Sequence, residues 1–243
     1  MKQVNQDFQD KVALVTGGTR GIGLAIANRL KGLGAQVIIT GTSTRPEDFP
    51  DFNVMRLNFL DETSVQVFLE EIQSLPRIDI LINNAGINRI QPIGDLCLDD
   101  FQDVHKVNLE GPLRLIQTVS KAMISNQFGR ILNISSIWSV VGKEKRHSYA
   151  ASKTGLVGLT RTLALDLGPY NILVNSLSPG FTLTELTSQS LSKQEMAELC
   201  AMVPLGRFAQ VDEIAKCAAF LVSDQNTYMT GQNITVDGGF TIC

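Results

Sequence analysis

The chain has 243 residues, 44% of them apolar and 19% charged, with a formal net charge of −3. That length and apolar content suit one large core, and the slightly acidic balance offers no basic stripe for a nucleic-acid backbone, so the expected ligand is a small molecule and not a polynucleotide. The polar start MKQVNQDFQD lacks the apolar stretch of a secretory leader, and no run reaches the roughly 18 apolar residues of a membrane span, so a cytoplasmic location away from the membrane is expected.

A short extension over 1–10 precedes the first strand candidate, Val12–Thr16. A helix over 21–33 follows, then strands Val37–Thr40 and Val54–Leu57, a helix over 61–74, and strand Ile78–Asn83. A long helix is expected over 99–126, then strand Arg130–Ser135, a helix over 149–167, strand Ile172–Leu177, an irregular stretch over 178–210, a helix over 211–223 and strand Ile234–Val236. Short β-branched runs alternating with segments of helical period build a parallel sheet buried on both faces. The expected fold is α/β: one domain spanning 1–243, with a doubly wound parallel sheet of about seven strands and helices on both faces. Such a sheet opens a crevice at the carboxyl ends of its strands, where the strand order reverses, so functional residues are expected just after strands. The stretch 178–210 holds a capping-box start, Ser192 to Glu195, and is expected to lay a short helix over the crevice as a substrate lid. The cysteines at 97, 200, 217 and 243 have neither CxxC spacing nor histidine partners and read as reduced structural thiols, with no metal site.

The first strand runs into TGGTRGIG, which sets Gly17, Gly21 and Gly23 around Thr19, Arg20 and Ile22 at the turn into the first helix. Glycines there let the backbone approach a pyrophosphate while the first helical amides donate to it. The spacing is G-x-x-x-G-x-G, and a glycine-rich turn alone is also explained by close helix–strand packing. Its position, after the first strand and before the first long helix, favours a dinucleotide.

TGGTRGIG at 16–23, NNAG at 83–86, ISS at 134–136, YAASK at 149–153 and SPG at 178–180 together resemble the ordered motifs of the short-chain dehydrogenase/reductase family. The resemblance covers about Lys11 to Gly239. It implies an NAD(P)-dependent oxidoreductase on a Rossmann-type sheet. In overall pattern, including VPLGRF at 203–208 and TGQNITVDGG at 230–239, the chain is similar to the 3-oxoacyl-carrier-protein reductases of that family.

Family members that prefer NAD commonly end the second strand in an acid that binds the ribose 2′-hydroxyl. Here Gly41 takes that place, Thr42 and Ser43 offer hydrogen bonds, and Arg20 offers a charge, so NADP(H) is expected over NAD(H). Asn58, where the family more often has aspartate, and Phe59 are expected at the adenine, with Asn84, Ala85 and Gly86 against the cofactor. Pro179, Gly180, Thr182 and Thr184 are expected near the nicotinamide carboxamide; plain loop hydroxyls are the alternative for the two threonines.

Taken singly, a tyrosine at a helix start and a lysine one turn on are an ordinary packed ring and a solvated ammonium. With ISS upstream and the glycine loop, Tyr149 resembles the family's proton donor. Lys153 resembles the residue that lowers its pKa and holds the nicotinamide ribose. Ser136 resembles the group that stabilises the substrate oxygen, and Asn108 the anchor of a water leading from Lys153 to solvent. A non-catalytic dinucleotide sensor or scaffold is the reading from another class, and it has no need of this tetrad.

The substrate is a carbonyl or alcohol, with a 3-oxoacyl thioester as one expectation and a sugar, polyol, steroid or other small alcohol as the other. Carrier-protein enzymes place basic residues just before strands five and six, where this chain has NQFG at 126–129 and PYN at 169–171. GKEKRH at 142–147 reads either as a solvated loop or as a greeting for an anionic substrate, and Trp138 either as pocket wall or as core. The helix from Tyr149 is rich in small residues (Ala150, Ala151, Gly155, Gly158), and the family resemblance implies that it and the preceding long helix pack in a homotetramer, with a dimer as the second expectation.

Overall fold

In the computed structural model, residues 8–243 other than Thr44 are described, with all their side chains except those of Leu186, Ser188 and Ser190. The first seven residues of the expected N-terminal extension lie outside them. In chain order the elements are β1 (Val12–Val15), α1 (Gly21–Gly32), β2 (Gln36–Gly41), β3 (Asn53–Arg56), α2 (Glu62–Ser74), β4 (Ile80–Asn83) and α3 (Leu98–His105). There follow α4 (Gly111–Ser125), β5 (Gly129–Ile134), α5 (His147–Leu167), β6 (Ile172–Pro179), β7 (Thr182–Leu183), α6 (Glu185–Ser190), α7 (Lys193–Ala201), β8 (Ala209–Gln210), α8 (Val211–Val222) and β9 (Asn233–Val236).

Seven strands form one parallel sheet in the order β3-β2-β1-β4-β5-β6-β9. The period of two in the strands sends alternate side chains to opposite faces. Ala13, Val15, Ile39 and Ile82 pack under α1 and α8, against Ile26, Leu30, Ile214 and Ala218. Leu14, Leu81, Ile131 and Val174 pack against Phe68 of α2, Leu115 and Met123 of α4 and Ala164 of α5. Both faces are therefore covered, which is why the strands read as continuous apolar runs. Truncating a residue such as Leu81, fully buried, to alanine costs about 2–5 kcal/mol. Phe8, 2% exposed, tucks into the first of these layers, so the packed body begins inside the expected extension.

The order of the strands reverses between β1 and β4, and the chain segments after these two strands meet there. The expected helix over 99–126 is interrupted: a π-helical turn at Lys106–Glu110 separates α3 from α4. Pro112 supplies the reason. In an unbroken α-helix its ring would press on the carbonyl of Asn108 and it has no N–H to offer that oxygen. The wider turn relieves the clash, and the Gly111 N–H donates to Lys106 O, five residues back. Helix α5 starts two residues before the expected position. The stretch 178–210 holds more structure than one short helix: β6 runs on to Pro179, β7 pairs with β8, and α6 precedes the capping-box helix α7. Of the four free cysteines, Cys97 and Cys243 are exposed, so these two are surface thiols and not structural ones. Among the described residues no helix is long and apolar enough to cross a membrane.

Candidate active site

The turn after β1 requires its glycines. Gly17 and Gly21 have φ of +61° and +55°, in the left-handed region that favours glycine. A methyl group on Gly17 would lie 3.0 Å from Ala85 Cα, and one on Gly23 would collide with the Gly17 carbonyl and Asn84 Nδ2. The backbone after β1 thus rests directly on the backbone after β4. Arg20 is the N-cap of α1, with extended φ and no side-chain cap bond, and the first turn of α1 carries no acid. The first amides and the positive end of the helix dipole face no carboxylate of their own helix, which suits an anion.

Side-chain amides fasten this junction. Asn84 Nδ2 donates to Thr16 O at 2.9 Å and to Gly17 O at 3.0 Å. The backbone N–H groups of Asn84 and Ala85 both donate to Thr16 Oγ1 at 3.0 Å. Deeper in the sheet Asn83 Nδ2 donates to Asn133 Oδ1, and Asn133 Nδ2 to Thr160 Oγ1, tying β4 and β5 to α5.

A cavity of about 650 Å³ opens at this junction. The glycine loop from Gly17 through Thr19, Arg20, Gly21 and Ile22 to Gly23 lines it. So do Thr42 and Ser43 after β2, Asn58 and Phe59 after β3, Asn84 to Gly86 after β4, and Thr184 at the start of α6. The glycine cradle, the acid-free helix start and this cavity fit a dinucleotide. Phe59 has a packing role as well: its ring fills the space that a side chain at Gly111 would need. Asn58 Oδ1 accepts from Leu60 N and shapes the turn after β3.

Beyond the cavity, β5 and α5 bring the polar groups together. Ser136 is 7% exposed and accepts from Trp138 N, and its hydroxyl acts to lower the pKa of the Tyr149 phenol. Lys153 is 3% exposed, and its Nζ donates to Ile134 O at 2.7 Å and lies 5.7 Å from the centre of the Tyr149 ring. A methyl built on Gly86 would sit 3.3 Å from Asn108 Oδ1 and 3.5 Å from Lys153 Nζ. Strand β4, the π turn and α5 therefore converge on one point.

One expectation about these groups needs correction. The Tyr149 phenol is raised above its ordinary value, not lowered: burial raises it, and the Ser136 hydroxyl and the Arg146 guanidinium offset only part of that. Burial also pushes Lys153 down to about 8, since its ammonium has a carbonyl and no carboxylate beside it. The Asn108 side chain is fully buried and held on both sides. Its Oδ1 accepts from Ile87 N at 2.9 Å, and its Nδ2 donates to Ile87 O at 2.9 Å and to Ser152 Oγ at 3.1 Å.

Some expected cofactor residues lie apart from the cavity. Tyr149, Lys153, Pro179, Gly180 and Thr182 do not line it. Thr182 Oγ1 donates to Gly180 O, and Thr184 caps α6 by accepting from Thr187 N, so both hydroxyls hold the local turn together. Conversely, Asp48 and Phe49 line the cavity beside Thr42 and Ser43, and Glu185 lines it at the start of α6. RPEDFP at 45–50 signals a turn in the sequence, but nothing local aims that turn inward.

A family profile described as Enoyl-(Acyl carrier protein) reductase matches residues 17–241. The 3-oxoacyl-(acyl-carrier-protein) reductase of Aquifex aeolicus is 42% identical, over 96% of this chain and 98% of that protein. The NAD-dependent glycerol dehydrogenase of Listeria innocua is 35% identical, over 99% and 98%. Among solved structures, a gluconate 5-dehydrogenase from Burkholderia cenocepacia in complex with NADP and tartrate is similar with a TM-score of 0.89 and 33% identity, covering 99% of each chain.

Proposed function

The chain belongs to the short-chain dehydrogenase/reductase family and is an NAD(P)-dependent oxidoreductase that interconverts a ketone and a secondary alcohol; from that premise we propose that it uses NADP(H), with Tyr149 as proton donor. The observation that carries the assignment is that Lys153, whose Nζ lies 5.7 Å from the Tyr149 ring centre, also sits beside Gly86, a residue that lines the cavity with the glycine loop. When bound, the nicotinamide supplies the hydride for reduction and accepts it for oxidation. Tyr149 gives its phenolic proton to the carbonyl oxygen as that oxygen gains charge, and Ser136 stabilises the same charge by hydrogen bonding. Lys153 lends a positive charge to the developing phenolate. Its own proton would come from solvent through a water anchored at Asn108.

Preference for NADP(H) is supported by Gly41 in place of an acid at the end of β2, by Arg20 at the N-cap of α1, and by NADP in the gluconate 5-dehydrogenase complex. Asp48 acts against the preference and limits it. For the substrate, 3-oxoacyl thioesters are the first reading, because relatives about 40% identical bear that name. Small polyols and sugar acids are the second, favoured by the absence of basic residues at Gln127 and Tyr170. A homotetramer is the proposed assembly. Ala151, Gly158 and the 77%-exposed Leu165 form an open stripe along α5, and sedimentation giving only monomer at micromolar concentration would contradict it.

The test is NADPH oxidation with 3-oxoacyl thioesters, sugar ketones, steroids and diketones, run beside Tyr149→Phe. The expected result is a fall in kcat of about 10²–10⁴ for every substrate that turns over, with NADPH still bound. Equal turnover by the two proteins would remove the assigned mechanism.

A further inference from the structure

Aromatic rings from four separate segments meet beside the turn that follows β5. Trp138, in the short 3-10 turn Ile137–Ser139, lies edge-on to Phe181 at 6.1 Å between ring centres and to Phe240 at 5.9 Å. Phe181 and Phe240 are edge-on to each other at 5.1 Å, so these three rings close a triangle. Phe208, just before β8, stacks on Phe181 at 5.4 Å and pairs with no other ring among the described residues. Edge-on pairs favour particular mutual orientations, so the triangle restrains how Trp138 sits.

Phe240 is held in turn by the backbone after β9. Gly238 and Gly239 have φ of +66° and +93°. Asp237 Oδ1 accepts from Gly239 N at 2.9 Å, and Asp237 Oδ2 accepts from Thr241 N and from Thr241 Oγ1 at 2.7 Å each. Gly180 N donates to Val236 O at 2.9 Å, and a methyl on Gly180 would lie 2.6 Å from Asp237 Cα. The turn that carries Phe240 is therefore seated directly on the segment that carries Phe181.

At the other end of this set of contacts is Ser136. Trp138 N donates to Ser136 Oγ at 3.2 Å, while Ser139 N and Ser139 Oγ donate to the Ser136 carbonyl at 2.9 and 2.7 Å. A hydroxyl has two lone pairs and one hydrogen. An N–H on one lone pair restrains the side-chain torsion and leaves the hydrogen to be donated elsewhere, which is the state in which a serine stabilises charge building on a substrate oxygen.

We infer that Phe240 is a positioning residue for the reaction: its ring holds Trp138, whose backbone N–H holds the Ser136 hydroxyl ready to donate to the substrate oxygen. The inference rests on the reaction proposed above, in which Ser136 stabilises that oxygen, and extends its support to a residue beyond the last strand of the sheet.

The experiment measures reduction of acetoacetyl-CoA and 5-ketogluconate by NADPH, together with amide hydrogen exchange at Trp138. It compares the wild type, Phe240→Leu, Phe240→Tyr, Phe208→Leu, Ser136→Ala and the double variant Ser136→Ala with Phe240→Leu. Leucine keeps apolar volume while removing the ring, so the fold should survive. Phe240→Leu should lower kcat about three- to tenfold with KM and NADPH affinity within about twofold of the wild type, and should quicken exchange at the Trp138 amide. Phe240→Tyr should restore both, and Phe208→Leu, which removes a ring from Phe181 only, should change neither. On the Ser136→Ala background Phe240→Leu should cost less than about twofold, because the group it acts through is already gone. Equal factors with and without Ser136 would overturn the inference, as would a Trp138 amide that Phe240→Leu does not move or that Phe208→Leu moves equally. A kcat untouched by Ser136→Ala would sink the assigned reaction and this inference with it. Where neither ketone turns over, the amide decides: exchange quickened by Phe240→Leu, restored by Phe240→Tyr and unmoved by Phe208→Leu supports the inference, and any other pattern overturns it.

Discussion

The two halves of the crevice are held by different means. On the cofactor side the turns after β1 and β4 touch backbone to backbone, and Asn84 and Thr16 close the junction with four hydrogen bonds between 2.9 and 3.0 Å. On the substrate side α7 buries no residue, Met202 and Leu205 are exposed beyond it, and the polar contacts of α6 and α7 are mostly their own caps. The contrast follows from what each half must recognise. A pyrophosphate is met by main-chain amides at fixed positions, so the requirement falls on glycines and on side chains that brace the backbone. If α6 and α7 cover the substrate as proposed from the sequence, they have to let it in and out, and low local stability serves that task.

The largest test of the contrast concerns Lys153. In the folded chain its ammonium titrates at about 8, against 10.5 as its ordinary value. Between those pH values the unfolded chain binds more protons than the folded one, so stability rises with pH, by about 3 kcal/mol at most. Lys153→Met should remove this slope. The variant should be more stable than the wild type at pH 7, with the gap closing as pH rises from 8 towards 10, while turnover is lost. Parallel pH–stability curves for the two proteins would contradict the buried, unpaired ammonium. Tyr149, raised by burial, takes no part below its ordinary value near 10.

Next in size is the brace of the cofactor side. Asn84→Ala leaves Thr16 O and Gly17 O without their donor and should cost about 1–3 kcal/mol, lowering Tm by about 2–4 °C for each kcal/mol. NADPH should bind at least tenfold more weakly by titration. A stable variant that binds NADPH normally would mean that the glycines alone hold the turn.

Smaller still is the charge at the same loop. Arg20→Gln should weaken NADPH about tenfold and NADH by less than about twofold, while Asp48→Asn should move NADPH the other way by a few-fold. Equal effects on both cofactors would show that neither residue reads the 2′-phosphate. The smallest effect is expected on the lid. Ser192→Ala breaks the capping box of α7, worth about 1 kcal/mol locally, yet global Tm should move by no more than about 1 °C. Hydrogen exchange should quicken only in the α7 amides. A global loss would make the lid part of the cooperative core.

Where backbone chemistry leaves few choices, the sequence was readable. Gly17, Gly21 and Gly23 had to be glycines, the strands had to be apolar on both faces, and Tyr149 and Lys153 had to share a helix face. Pro112 also announced a break in the helix over 99–126, because its ring and missing N–H are local facts, although the surrounding helical period masked it. The stretch 178–210 was read as an irregular cover with one short helix; its second helix and two-residue strand pair depend on partners distant in sequence, such as β7 on β8.

By itself the sequence determined the doubly wound sheet, the family and the set of polar residues at the ends of the strands, because periodicity, glycine placement and motif order are local properties of the chain. Only the tertiary structure decided their electrostatic state. Burial raises Tyr149 and lowers Lys153, and the inward turn of RPEDFP brings Asp48 to the cavity. A charge answers to its surroundings, and those come from segments far apart in sequence.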